Sequence, residues 1–421
     1  MSQNRPRFGM TRREFGALGA TAGAIVALDW SLPRLARAAG DVKASDLIPG
    51  KVPEMIVHNA KLGVMETPLE LLRQHRVTPK EIMFNRLHFP ISGERSWTAS
   101  LEPVERPDWT ITFDGLVSRI RRVTVADLEK MGTTEVETVV QCAGNGRAFF
   151  AAKAKCPGSQ WQHGGMANVT FEGVPLKQLI EELNPGLGAQ VRYITVNGAD
   201  DPPTPKGADF EKSYRIDDPA LDHAILAIRM NGEPIPACHG GPVRLLIPGF
   251  YGNMNVKYVT RVLFAAAQSP TVFQSRAYRV PLQPVEPGQM KISDFTITNS
   301  EPTYAFRIKS VIFAPLASDS VKAGKVTISG VAFNDGQAPI TLVEVSTDGG
   351  RSWRAAAIEK PKSPFAWYHW SLEAELTAGT HTLVAKATDA WGRSQPLDGT
   401  VMWNPKGYEW NGADHVTVTV T

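Results

Sequence analysis

The sequence predicts an α+β domain followed by an immunoglobulin-like β-sandwich, on three observations. Over residues 76–267 short β-branched runs and short amphipathic stretches follow one another without the regular strand–helix alternation of a doubly wound sheet. From about Thr296 strands recur at short intervals between Gly and Asp turns, at Val326–Val331, Ile340–Val345, His381–Thr388 and His415–Val420. Residues 268–295, rich in Pro, Gln and Ser, read as the connection, which leaves 296–421 for the sandwich. With 421 residues, 43% hydrophobic and 21% charged, the chain is long enough to bury two or three cores.

Taken in order, residues 1–38 read as an export signal. Thr11-Arg12-Arg13-Glu14-Phe15 has the twin-arginine pattern, a weakly apolar run covers Phe15–Leu28, and Ala36-Arg37-Ala38 fits a small-residue cleavage site. A membrane span takes about 20 apolar residues, so no stable span is expected here. The twin-arginine export machinery carries folded proteins, and the periplasm is the expected location. Residues 39–75 read as an N-terminal arm. Within Phe84-Asn85-Arg86-Leu87-His88-Phe89-Pro90, Arg86 and His88 share a face if the backbone is extended.

Trp109–Phe113 alternates like a strand, and Thr124-Val125-Ala126-Asp127 has the form of a helix start, for a short helix to about Met131. The β-branched run Val136–Val140 reads as a buried strand. It leads into Gln141-Cys142-Ala143-Gly144-Asn145-Gly146-Arg147, where two glycines permit a tight loop. Pro175 opens a helix with Leu176, Leu179, Ile180 and Leu183 along one stripe. Val191–Val196 and Ala224–Met230 read as strands, the second closed by a tight Asn231-Gly232 turn. Cys238-His239-Gly240-Gly241-Pro242-Val243-Arg244 enters a strand to Ile247, and Val256-Lys257-Tyr258-Val259 opens an apolar run. Ser346–Trp353 has the form of an Asp-box turn. One copy cannot build a propeller, which favours the sandwich.

Charge and cysteines narrow the chemistry. Six basic and two acidic residues precede Ala39, a net of +4 within a chain of +3, so the remainder carries about −1. Such a balance offers no case for nucleic acid. Cys142, Cys156 and Cys238 are too few for a disulfide framework, and neither Cys-x-x-Cys-His nor a pairwise zinc spacing occurs. A thiolate at Cys142 beside Arg147 suits metal ligation or nucleophilic attack. A buried, inert cysteine before a turn is the alternative reading of that loop alone.

These motifs together resemble the sulfite oxidase family of molybdenum enzymes from about residue 76 onward, bacterial periplasmic sulfite dehydrogenases above all. The resemblance implies a molybdopterin domain over 76–267 and a dimerisation domain over 296–421. It implies that Cys142 supplies the protein sulfur to molybdenum. Phe84, Asn85, Arg86, Leu87, His88, Asp200, His239, Arg244, Asn255, Val256 and Lys257 match the positions that hold the pterin. Arg86, Arg147, Trp161 and Tyr278 match the substrate pocket. In Trp403-Asn404-Pro405-Lys406-Gly407, Lys406 stands where vertebrate sulfite oxidases have arginine, keeping the charge but losing the bidentate fork. Cys156 and Cys238 are expected to be structural, and a Cys142–Cys156 disulfide would contradict the assignment. The expected reaction is oxidation of sulfite to sulfate by a homodimer. No b-type haem domain is evident, so electrons would pass to a separate carrier such as a c-type cytochrome. The same cofactor acting on sulfane sulfur or a sulfoxide is one alternative; a cofactor-free exported binding protein is another.

Overall fold

The computed structural model describes Lys43, residues 46–89, 93–200, Pro202 and 208–421. The export signal and its cleavage site lie outside these residues. Those up to Phe306, together with Met402–Trp410, form one compact unit; Arg307–Val401 and Asn411–Thr421 form another. Among the described residues no helix is long and apolar enough to cross a membrane.

The first unit opens with the hairpin β1 (Ile56–Asn59) and β2 (Val64–Glu66), then α1 (Leu69–Leu72), β3 (Thr110–Gly115), β4 (Arg121–Thr124) and α2 (Val125–Leu128). It continues with β5 (Thr134–Gln141), β6 (Met166–Pro175), α3 (Leu176–Leu183), β7 (Tyr193–Gly198) and β8 (Glu211–Arg215). After β9 (Ile225–Met230), β10 (Glu233–Pro234), β11 (Arg244–Leu246) and β12 (Val259–Ala265) come α4 (Val272–Ser275), β13 (Arg279–Pro281) and β14 (Ser300–Pro302). One five-stranded sheet has the order β10-β9-β6-β5, with β11 also on β9; the other runs β4-β3-β12-β7-β8, with β3 and β12 parallel. Phe113, Val196 and Val262 from one sheet share a core with Val174, Leu226 and Leu245 from the other. The expected α+β class is the observed one.

Local chemistry explains the short elements. In α2, Thr124 Oγ1 accepts from Asp127 N at 3.1 Å and Asp127 Oδ2 accepts from Thr124 N at 2.9 Å, a reciprocal cap that satisfies two otherwise orphaned donors. Helix α3 buries Leu176 and Leu179 in the core and stops at Asn184 in the left-handed region, φ 42°. At the β9–β10 turn Asn231 and Gly232 both take positive φ, which suits the right-handed twist of the flanking strands.

In the second unit, β15 (Lys309–Ala314), β16 (Gly324–Phe333), β17 (Ile340–Ser346), β18 (Arg354–Ala355), β19 (Ala357–Ile358), β20 (Tyr368–Leu376), β21 (Gly379–Asp389) and β22 (Asp414–Val420) form two four-stranded sheets. Their orders are β15-β16-β20-β19 and β18-β17-β21-β22. Along β20, Tyr368, Trp370, Leu372, Ala374 and Leu376 are buried and the residues between them are not, the period-2 pattern of a sandwich face.

The expected boundaries need correction. Residues 268–295 are not a free connection, because they fold with the first unit, which runs to Phe306. There β13 pairs with β14, the fully buried Gln274 donates to Tyr304 Oη at 3.3 Å, and Arg279 Nε donates to Ser300 Oγ at 2.9 Å. Polar composition suggested a linker, but here the polar side chains satisfy buried groups. The described part of the 39–75 arm also belongs to this unit, with Met55 and Met65 fully buried. Met402–Trp410 returns to it from within the expected sandwich.

Candidate functional site

Strand β5 delivers Cys142 into a loop held on three sides. Cys142 N donates to Gly165 O at 2.9 Å, Asn145 N to Cys142 O at 2.9 Å, and Arg147 N to Gly144 O at 3.0 Å. The Asn145 side chain bridges Gln141 Oε1 (3.1 Å) and Gly165 N (3.0 Å). Gly146 has φ 91°, and a Cβ there would lie 2.5 Å from Trp410 Cδ1, so only glycine fits. All three cysteines are free thiols. Burial pushes Cys156 up to about 11 and raises Cys238 as well, which keeps both inert. Cys142 is half-buried and lines a cavity of the first unit.

That cavity is partly open to solvent. It draws on distant segments: Phe84, Arg86, Leu87 and His88; Cys142; Asp200 and Phe210; His239 and Arg244; Asn253, Asn255, Lys257 and Tyr258; and Tyr278. Among the described lining residues Asp200 is the one carboxylate, against Arg86, Arg244 and Lys257. Arg244 donates to His239 O (2.7 Å) and Asn255 O (3.3 Å), lies 5.3 Å from the Phe171 ring, and has a buried Nε with no partner among the described residues. Burial lowers it to about 10. Lys257 Nζ donates to Cys238 O (2.5 Å) and Arg86 O (3.4 Å), and burial, then Arg244, lower it to about 7. His239 is held well below the usual histidine range by burial and by Lys51, Lys257 and Arg244; His88 is likewise held down by burial, Arg86 and Lys212. Buried cations in excess of anions are costly unless a negative ligand offsets them.

At the Cys142 end, Tyr278 Oη lies 3.3 Å from His88 Nδ1. Burial raises the Tyr278 phenol, with Arg86 opposing, so it remains a donor. Tyr258 and Tyr278 both hold left-handed backbone, φ 57° and 53°, conformations that cost non-glycine residues about 1–3 kcal/mol and gather at functional sites.

Several residues singled out in the sequence sit outside the cavity lining. Trp161 is 1% exposed and packs edge-on to Phe84 at 6.0 Å, behind the wall. Asn85 pins the segment instead, exchanging backbone bonds with Met65 and donating to Gly63 O at 2.7 Å. Val256 is a core residue whose carbonyl accepts from Leu245 N. Asn255 lines the cavity, yet its side chain is spent on Ile247 N (2.6 Å) and Phe250 O (3.1 Å). Arg147 donates to Lys406 O (3.0 Å) and Ser159 O (2.9 Å) and lies 5.2 Å from the Tyr408 ring, which stacks on Tyr278 at 5.5 Å. Arg147 therefore reaches Tyr278 through Tyr408. Lys406 is half-buried and its ammonium is not among the lining groups. Sequence reasoning missed Tyr408, Phe210, Lys51 and Lys212. The last is fully buried, donates to Phe273 O, lies 5.0 Å from the Tyr278 ring and is lowered to about 7 by burial and by Arg279. Tyr408 was signalled only by its place two residues after Lys406.

The donor set suits a metal carried on an organic ligand. Among the described residues no three His, Cys, Asp or Glu side chains converge in metal-binding geometry, so a metal on Cys142 would take its other donors from that ligand. A pterin dithiolene supplies soft sulfurs to match the thiolate, and its phosphate answers the unpartnered Arg244 Nε and the Lys257 ammonium.

Residues 99–273 match the family described as oxidoreductase molybdopterin binding domain, and 300–420 match the Mo-co oxidoreductase dimerisation domain. The chain is 29% identical over 382 residues to mitochondrial sulfite oxidase of Homo sapiens, covering 89% of this chain and 67% of that protein. Sulfite oxidase of Gallus gallus is 29% identical over 376 residues, at 85% and 76% coverage. NADH nitrate reductase 2 of Phaseolus vulgaris is 28% identical over 364 residues, but the match covers 39% of its length against 81% of this chain. The crystal structure of the sulfane dehydrogenase SoxCD from Paracoccus pantotrophus has a TM-score of 0.71 at 24% identity, covering 91% of this chain and 96% of that one. That last likeness is one of fold.

Proposed function

This chain belongs to the sulfite oxidase family of molybdopterin oxidoreductases, and from that premise we propose that it oxidises sulfite to sulfate in the periplasm and passes the electrons to a separate carrier such as a c-type cytochrome. Membership sets aside the cofactor-free binding protein: the chain is an oxidoreductase whose cofactor is molybdenum bound to molybdopterin. When bound, that cofactor supplies oxygen-atom transfer and the storage of two electrons.

The chain's own residues divide the remaining work. Cys142 offers the soft thiolate that selects the metal. Arg244, Lys257 and His239, deep in the cavity, hold the anionic end of the pterin. Arg86 and Tyr278 serve a sulfur oxyanion: the guanidinium offers charge, and the phenol, kept protonated by burial, donates a hydrogen bond. His88, held neutral beside Tyr278 Oη, offers Nδ1 as an acceptor that can orient the phenol. The observation that carries the reading is this pairing of Arg86 with a protonated Tyr278 next to Cys142, in a cavity where Asp200 is the one carboxylate among the described lining residues. The sulfite oxidase relatives, matched over most of this chain, support the same substrate. The second unit matches a dimerisation domain, which supports a homodimer.

Anaerobic assays of purified, molybdenum-replete protein with oxidised cytochrome c test the proposal. Sulfite should drive reduction. Reduction by thiosulfate but not sulfite would replace the substrate with a sulfane sulfur, and turnover of a sulfoxide or of nitrate alone would overturn it.

A further inference from the structure

Lys51 lies ahead of the matched region 99–273 and belongs to no motif of the site. It is 6% exposed, and its ammonium faces three acceptors: Lys80 O at 2.5 Å, Met83 O at 2.7 Å and His239 Nε2 at 3.1 Å. An ammonium has three protons and no lone pair. Two carbonyls can only accept, so the third proton falls to Nε2, and a neutral imidazole must then carry its own proton on Nδ1. His239 lines the cavity with Arg244 and Lys257. Nδ1 is the ring nitrogen left for a ligand.

We propose that Lys51 is a positioning residue of the cofactor site: it holds His239 in the Nδ1–H form, giving the cavity a fixed neutral donor beside Arg244 and Lys257 for the pterin phosphate. A neutral donor adds direction without a further positive charge in a region already crowded with them. Lys51 also ties the backbone just before Phe84 to the Ala237–His239 turn, so two segments of the cavity wall share one anchor. Burial and the three neighbouring cations keep His239 unprotonated, while the Lys80 carbonyl pulls the other way. That carbonyl is the acceptor that would favour the opposite tautomer. The inference rests on the cofactor assignment and not on sulfite as substrate.

Long-range 1H–15N correlation of histidine-labelled, cofactor-loaded protein, with His239 identified by its loss in His239→Asn, reads the tautomer without turnover. Nδ1–H with a bare Nε2 is expected; Nε2–H or a doubly protonated ring overturns the proposal. In Lys51→Met the ring should turn to Nε2–H, and pterin, measured by fluorescence after release, should be lost roughly 10–100-fold faster on dialysis. Lys51→Arg should restore retention. A folded Lys51→Met that keeps both Nδ1–H and its pterin refutes the role. If that variant does not fold, the wild-type spectrum decides alone. Neither readout moves if sulfite proves to be the wrong substrate.

Discussion

Raising the pH should weaken anion binding to the cofactor-free protein, and Lys257 sets the size of the effect. Its ammonium has carbonyl acceptors, and burial and Arg244 lower it to about 7 against the opposing pull of Cys238 and Asp200. A bound anion favours the charged form, so binding above neutral pH must take up a proton. Lys257 alone, titrating at about 7 when free and remaining charged when bound, lowers affinity by at most close to a hundredfold, about 2.7 kcal/mol, between pH 6 and 9. Arg244, lowered only to about 10, stays charged over that range. Sulfate is a suitable probe because its own charge is constant there. Calorimetry at pH 8 in buffers of different ionisation enthalpy should show uptake of about 0.9 proton per sulfate bound. Affinity that is flat or rises with pH would refute the account of the cation cluster. The sign for folding is the reverse. Lys257 and Lys212 have folded values of about 7 against the ordinary 10.5, so the unfolded chain binds more protons in between. Stability of the ligand-free chain should therefore rise with pH across that window, and below about 7 the full penalty of burying the charges applies.

Two further outcomes separate scaffold from substrate contacts. Gly146→Ala forces a side chain into a left-handed backbone against Trp410 and should cost about 1–3 kcal/mol, read as a lower melting temperature together with lost molybdenum. Arg147→Gln removes the donor to the partly buried Lys406 and Ser159 carbonyls, at about 0.5–1.5 kcal/mol for each bond lost. It should lower stability and raise the Michaelis constant together, whereas Lys406→Ala, which spares those carbonyls, should change the Michaelis constant by less than about twofold; steady-state kinetics beside thermal melts distinguish them.

Much of this molecule was legible before its structure, for identifiable reasons. Elements governed by local chemistry announced themselves: the Thr124/Asp127 cap, the Pro175 helix start and the Asn231-Gly232 turn. The Cys142 loop was legible because two glycines, a β-branched run and a cysteine occur together. Lys51 and Lys212 were not, since a lysine buried against carbonyls and rings looks in sequence like any surface lysine. Only the convergence of distant strands makes it otherwise. Arg147 shows a finer limit. The motif brought it near the right place, but the carbonyls of Lys406 and Ser159 and the Tyr408 ring turn its guanidinium into a brace behind Tyr278. The connection expected over 268–295 folds with the first unit for a related reason: Gln274 and Arg279 are polar yet buried, and composition alone reads such residues as linker.

The central claim is that Cys142 is the protein's sulfur on the metal. X-ray absorption at the molybdenum edge, on wild type and on Cys142→Ser loaded to equal pterin content, tests it most directly. Loss of one sulfur neighbour in the variant, with pterin retained because its contacts come from Arg244, Lys257 and His239, is the result this account predicts. An unchanged sulfur shell, or the same loss in Cys156→Ser instead, would contradict it.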